Sequence, residues 1–183
     1  RQLGQHQQAT LFMTLAAAFQ LLLHRQSRQR DLCIGYPVAG RNQPELEGLI
    51  GFFVNTLVLR TRIDPAQPFE ALLQQVRATL LAADAHQDLP FDKLVEVLRP
   101  DRSLNQSPLF QVMFAFYDAD QGSALRLAGV TAEVLPQAST TAKFDLSLEL
   151  TMRAGRLSGR FEYSTELFDA ATIASLARQF HTL

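Results

Sequence analysis

Apolar residues recur at three- and four-residue steps at Leu11, Leu15, Phe19, Leu22 and Leu23, so residues 10–25 are predicted as an amphipathic helix with Thr10 as its N-cap. The run DLCIGYPVAG is short, apolar and ends in Gly40, which suits a buried strand over 31–38 leading into the loop GRNQPELEG. Phe52 to Arg60 is apolar apart from Asn55 and Thr56, the pattern of a strand covered on both faces. Pro65 and Pro68 introduce a helix over 68–86, with Phe69, Leu72, Leu73, Val76, Leu80 and Leu81 in one stripe. Asp88 and Pro90 restart the chain in a short helix, 91–98, with Phe91, Leu94, Val95 and Leu98 on one side and Pro100 as the stop.

Beyond a polar loop at 101–107, the pattern changes to strands. Leu109 to Tyr117 is rich in Phe, Val and Met, and a weaker strand is expected at 130–135. Phe144, Leu146, Leu148 and Leu150 alternate with polar residues, Ala154-Gly155 turns the chain, and Leu157 to Tyr163 answers with a similar alternation, a half-buried hairpin. Asp169 is expected to cap a last helix, 170–182, with Ile173, Leu176, Ala177 and Phe180 inward and Phe168 as a hydrophobic staple. Strands and helices are interspersed without regular alternation. This predicts an α+β fold, a mixed β-sheet flanked by helices, and not a doubly wound one.

Composition narrows the picture. At 183 residues and 47% hydrophobic content, residues 1–183 are expected to form one unit with a real core. Seventeen Lys and Arg against eighteen Asp and Glu provide no basic field for nucleic acid or anionic lipid. The stretch Leu11 to Leu23 is interrupted by Thr14 and Gln20 and is too short to span a bilayer, and RQLGQHQQAT has no signal-peptide core, so a cytoplasmic location is expected. Cys33 is the single cysteine, which excludes an internal disulfide, and its apolar surroundings suit a small core residue.

The usual signatures of catalysis are missing. The sequence has no GxSxG, GxxxxGK[ST], HExxH or GxGxxG, its four histidines do not cluster, and no metal site is expected. His6, His24 and His181 read as solvated, and Asp101, Asp118 and Asp120 as turn residues. Two places invite closer reading. In HQDLPFD, from His86, Asp88 is positioned to accept backbone N–H bonds ahead of Pro90, so the segment is either an inter-helix corner or part of a binding surface. In GFFVNT, Gly51 allows close approach, and Asn55 places an amide in an apolar strand where it requires partners, either backbone of an adjacent loop or a substrate.

The order and spacing of IGYPVAGR (34–41), GFFVNTLVLR (51–60), HQDLPFDKLVE (86–96) and RPDRSLNQSPLFQVMF (99–114) carry a family resemblance. TAKFDLSLEL (141–150) and GRFEYSTELFDAATI (159–173) extend it over the chain from Thr10 onward. With these motifs the chain resembles the C-terminal lobe of a condensation domain from a nonribosomal peptide synthetase. The resemblance implies one lobe of a two-lobed fold similar to chloramphenicol acetyltransferase. A tunnel between the lobes admits phosphopantetheine arms from two carrier domains, and an acceptor amine attacks a donor thioester there. Such domains serve secondary metabolism, including antibiotic biosynthesis.

In that family catalysis centres on HHxxxDG in the N-terminal lobe. This sequence has no HH pair and no HxxxD, and its opening RQLGQHQQ looks like the tail of a segment midway through such a domain. The resemblance therefore implies no catalytic residue here, no cofactor bound by this chain, and no amide formation by this chain alone. It implies as partners the N-terminal lobe, upstream and downstream peptidyl carrier domains and a neighbouring adenylation domain. The tunnel and carrier-binding candidates are Gly35, Pro37, Gly51, Asn55, His86, Gln87, Asp88, Pro90 and Phe91. Gly35 to Gly51 would form tunnel wall and floor, and 102–131 would be the segment that crosses onto the first lobe. NTLVLR and TAKFDL look like domains that join two L-configured partners. A catalytically silent relative that docks carriers or tailoring enzymes is the alternative, and a free-standing coenzyme A acyltransferase would not be expected to show HQDLPFD.

Overall fold

The computed structural model describes residues 2–100, 107–118, 129–130 and 141–183. Its element order is α1 (Gln2–His6), α2 (Leu11–Ser27), β1 (Asp31–Val38), α3 (Pro44–Glu47), β2 (Asn55–Arg62), α4 (Phe69–Asp84), α5 (Phe91–Leu98), β3 (Val112–Asp118), β4 (Leu146–Arg153), β5 (Arg156–Tyr163) and α6 (Ala170–Thr182). The strands form one mixed sheet in the order β2-β1-β3-β4-β5. The outer pairs β1/β2 and β4/β5 are antiparallel, and the inner pairs β1/β3 and β3/β4 are parallel.

One face of the sheet holds the core. Leu32, Ile34 and Tyr36 of β1, Leu57 and Leu59 of β2, Phe114 of β3 and Leu146, Leu148 and Leu150 of β4 alternate onto that face and are buried. They meet Ala16, Ala17, Phe19 and Leu22 of α2, Leu72, Leu73, Val76 and Leu80 of α4, and Ile173 and Leu176 of α6. Phe19 joins these layers, with its ring 5.8 Å from that of Phe114 and 6.1 Å from that of Phe180. Thr10 caps α2 as the sequence predicts, its hydroxyl accepting from Met13 N at 3.2 Å. Arg28 closes the helix in the left-handed region, φ 58°, donating its N–H to His24 O at 2.8 Å. Gln20, a polar interruption of the α2 stripe, is fully buried and donates from Nε2 to Leu59 O at 3.3 Å, joining helix to sheet.

Several expected elements shift. β2 starts at Asn55 and not at Phe52, which is 90% exposed. It is an edge strand: Leu57, Leu59 and Thr61 turn inward while Arg60 and Arg62 face solvent, so only one face is covered. β3 starts at Val112, after Leu109 with φ 71°, and lies between β1 and β4 with Phe110 and Phe114 buried. That corrects the crossing segment: residues 112–118 are a strand of this sheet, and 102–106, 119–128 and 131 lie outside the described residues. The expected strand 130–135, apart from Val130, and Asp101 and Asp120 also lie outside them; Asp118 ends β3 and is not a turn residue. The β4/β5 turn is as expected, with Ala154 and Gly155 both at positive φ, 48° and 72°. Asp169 is the N-cap residue of α6 as expected, although its side chain makes no capping hydrogen bond. The loop GRNQPELEG contains α3, the N-terminal stretch forms α1, and Leu98 of α5 is exposed where the stripe would bury it.

Candidate functional site

Pro37, Asn55, Gln87, Asp88 and Phe91 lie around the end of the sheet where β1 stops and β2 starts, whereas Gly35 and His86 lie apart from it. Val38 pairs with Asn55 and Pro37 with Thr56. Asn55 there gathers the chain between α4 and α5. Its Nδ2 donates to Gln87 O and Leu89 O, both at 2.8 Å, while its Oδ1 accepts from Phe91 N at 3.1 Å and from Thr56 N at 2.9 Å. A side-chain amide has two donor hydrogens and two acceptor lone pairs, and all are used. Backbone of the adjacent loop, one of the two partners the sequence allowed, satisfies this residue.

The loop 39–54 is joined to the same corner. Asn42 Nδ2 donates to Asp88 Oδ1 at 3.0 Å, so Asp88 bonds a side chain of that loop and not the expected backbone N–H groups ahead of α5. Arg41 lies 4.4 Å over the Phe53 ring and donates to Leu46 O and, at 3.4 Å, to Gly51 O. Gly40 makes the fold of this loop possible: its φ is +63°, and a Cβ there would stand 1.9 Å from Phe53 O. Pro90 stands as N-cap of α5 and fixes its direction.

Gly35 belongs to a neighbouring cluster on the face of the sheet away from the core helices. A Cβ on Gly35 would lie 2.3 Å from the Phe110 ring, so the glycine seats that ring on the strand. Phe110 in turn packs on Phe91 at 5.6 Å and Phe144 at 5.4 Å between centroids. Phe91 thereby connects the Asn55 corner to Gly35. His86 does not join them. It is exposed in the turn after α4, with Nδ1 2.9 Å from Ala82 O in the last turn of that helix.

Around the corner the surface is unusually apolar. Ile50, Phe52 and Val54 are 104%, 90% and 47% exposed, and Leu49, Leu89, Val97 and Leu98 are exposed as well. Glu45, Glu47, Asp88, Asp92 and Glu96 supply exposed carboxylates in the same segments. The other end of β1 and β2 is charged differently. Asp31 accepts from Arg60 at 2.7 and 2.8 Å and from Arg62 at 3.2 Å, and the Arg60 guanidinium holds its carboxyl down at about 2. Burial pushes the Cys33 thiol up, and Cys33 is only partly covered, not the core residue the sequence suggested. Burial also pushes up the Tyr36 phenol, whose hydroxyl is enclosed with no partner among the described residues.

Sequence reading included Gly40, Arg41, Asn42 and Phe53 in its motifs and the 35–51 range without giving them the role of holding the loop, and missed Phe110 and Phe144, which lie against or beside the Gly35 cluster. The glycine-arginine pair beside a polar loop was a usable signal. The aromatic cluster was not legible, because its members come from three separate segments. The assembled groups are amides, carbonyls, carboxylates and rings, suited to binding and positioning.

The chain matches the profile of the condensation domain over residues 1–183. It is 48% identical over 182 residues to a linear gramicidin synthase of Brevibacillus parabrevis, covering 97% of this chain and 4% of that protein. It is 46% identical to phosphinothricin tripeptide synthetase PhsC of Streptomyces viridochromogenes, covering 100% of this chain and 17% of that protein. Among solved structures, the X-domain from teicoplanin biosynthesis superposes with a TM-score of 0.88 at 29% identity, covering 97% of this chain and 41% of that one. A four-domain nonribosomal peptide synthetase bound to AMP and glycine gives 0.85 at 27% identity, covering 98% of this chain and 15% of that one. The chain thus spans a small part of the synthetases it resembles and less than half of the X-domain. Motif order, a mixed five-stranded sheet and these matches agree: the chain belongs to the condensation domain family of nonribosomal peptide synthetases.

Proposed function

We propose that this chain is the C-terminal lobe of a condensation domain in which a carrier-bound acceptor amine attacks a carrier-bound donor thioester. The nitrogen forms the amide bond as the C–S bond breaks, the donor phosphopantetheine leaves as thiolate, and the amine proton passes by way of a base to that sulfur. In this reading the lobe supplies tunnel wall and carrier-facing surface, and its partner lobe supplies the base. The chain alone forms no amide bond. Gly35, Pro37, Gly51, Asn55, Gln87, Asp88, Pro90 and Phe91 shape the wall, the two carrier domains bring the phosphopantetheine arms, and the lobe itself binds no cofactor. The joined partners are both L-configured, an adenylation domain is the neighbour, and the location is cytoplasmic; no helix among the described residues is long and apolar enough to cross a membrane.

The observation that carries the reading is the combination of a tightly bonded corner with an apolar surface left open beside it. Asn55 and Arg41 fix the backbone, while Ile50 and Phe52 project without cover. Such a surface suits packing against the other lobe. Phe52→Asp should leave the thermal midpoint of the isolated chain unchanged, because the ring is 90% exposed, and should lower amide formation by the complete domain at least about tenfold. Unchanged turnover would place the inter-lobe surface elsewhere.

A second reading has its own support. A solved complex of the teicoplanin X-domain with OxyB gives a TM-score of 0.85 at 28% identity, so a related fold is found in complex with a separate protein. If the parent of this chain is such a recruiting module, the first lobe will lack an intact HHxxxDG and the complete domain will bind a protein partner without forming amide.

A further inference from the structure

The chain enters β3 through a turn that strains its backbone. Phe110 N donates to Pro108 O at 3.0 Å across Leu109, whose φ is 71°. This is the three-residue γ-turn with a positive central φ, a rare and strained form. Glycine takes that conformation freely, whereas leucine holds it only where the surrounding contacts over-determine the backbone. Gln111 supplies some of those contacts: its Nε2 reaches back to Ser107 O at 3.2 Å, and its carbonyl accepts from Asp145 N at 3.1 Å. Phe110 supplies the others. Its side chain is 1% exposed, its ring edge stands over the bare Cα of Gly35, and the rings of Phe91 and Phe144 close on it.

Phe91 carries the consequence to α5. No residue of that helix is buried, and it is tied to the sheet at its first turn, where Phe91 N donates to Asn55 Oδ1 at 3.1 Å and the Phe91 ring packs on Phe110. The hydrogen bond fixes the helix to the start of β2, and the ring fixes it to the turn before β3. We propose that Phe110 is a positioning residue for amide formation: seated on Gly35 by the strained turn, its ring sets where Phe91, and with it the Asn55 corner, stands relative to the sheet. This rests on the reading of Gly35 and the corner as tunnel wall. Phe110 acts through Phe91 and Gly35, not on the reacting groups. Misplacing by about 1 Å the groups that orient a substrate can slow a reaction by about 10²-fold, so loss of the ring falls on kcat, while carriers docked at the outer surface keep their KM.

The test uses the complete domain with loaded carriers and compares Phe110→Leu, Gly35→Ala and the double variant. A Cβ on Gly35 would stand 2.3 Å from the Phe110 ring, so Gly35→Ala pushes the ring off its seat, and Phe110→Leu removes the ring edge that would clash. Both single variants should lower kcat at least about tenfold with carrier KM within about twofold, and both should speed hydrogen exchange across 87–98. In the double variant the unfolding midpoint should recover relative to Gly35→Ala, because the clash is relieved, while kcat stays low, because the ring is gone. Recovery of kcat together with the midpoint would show a packing role alone and overturn the proposal. So would normal turnover in Phe110→Leu, or exchange across 87–98 equal to that of the unaltered domain; Phe110→Leu decides these two points even where Gly35→Ala does not fold. No amide from the unaltered domain would sink the underlying tunnel reading, an outcome told apart because exchange across 87–98 in the variants needs no turnover.

Discussion

Asn55 shows how one polar residue in an apolar strand organises its surroundings. Four hydrogen bonds converge on its amide, and three of them reach the 87–91 segment. Asn55→Leu should lower stability by about 1–3 kcal/mol although it adds apolar surface, because Gln87 O, Leu89 O and Phe91 N lose their partner. An unaltered urea midpoint would show the amide to be dispensable. Asp31 makes a different, pH-dependent contribution. Its pKa is lowered from 3.8 to about 2, chiefly by its hydrogen bond to Arg60, so the folded state holds the carboxylate more readily than the unfolded chain does. The stabilisation is fully present above about 4 and is lost as pH falls towards 2. Burial raises the pKa of Asp84, and that group acts with the opposite sign. Asp31→Asn should therefore lower the thermal midpoint at neutral pH and flatten its fall between about pH 4 and 2; parallel profiles for the two proteins would refute this assignment.

At the scale of elements, β3 decides how the sheet is built. It pairs in parallel with β1 on one side and β4 on the other, over Val112 to Asp118 on the β4 side. Amide hydrogens of 112–118 should rank among the slowest to exchange in the isolated chain. Rapid exchange there, slowed by adding a first lobe, would restore the crossing strand that the sequence suggested. That expectation failed for a physical reason. A strand buried on both faces and a strand that leaves its sheet share the same apolar run, and periodicity carries no information on pairing partners. Helices were easier to read, since the α2 and α4 stripes and the Thr10 cap are local signals. β2 was misjudged at its start because Phe52 and Val54 are apolar for a surface reason. Gly40 offers a test of the loop they occupy: Gly40→Ala places a Cβ against Phe53 O at a positive φ, and should disorder 39–54 while leaving the α2/α4 core intact. Retained Arg41–Phe53 packing in that variant would contradict it.

The whole molecule divides between the two sides of one sheet. Helices α2, α4 and α6 pack the core against one face. Gly35, the ring of Phe110 and the Asn55 corner occupy the other face and the end of β2, where Ile50 and Phe52 stand uncovered. Sequence identified the family from motif order and named Asn55, Asp88 and Phe91 as candidates in separate motifs; the structure brings them to one corner. It did not reveal that Arg41 and Asn42 close the loop onto it, since those contacts depend on tertiary placement. The central claim is that this lobe shapes and docks while the bond-forming base comes from elsewhere. The direct measurement is amide product by mass spectrometry, with loaded donor and acceptor carriers, for this chain alone and for this chain with the first lobe supplied. No product from the chain alone and product on addition of the first lobe is the predicted result. Amide formation by the isolated chain would contradict it.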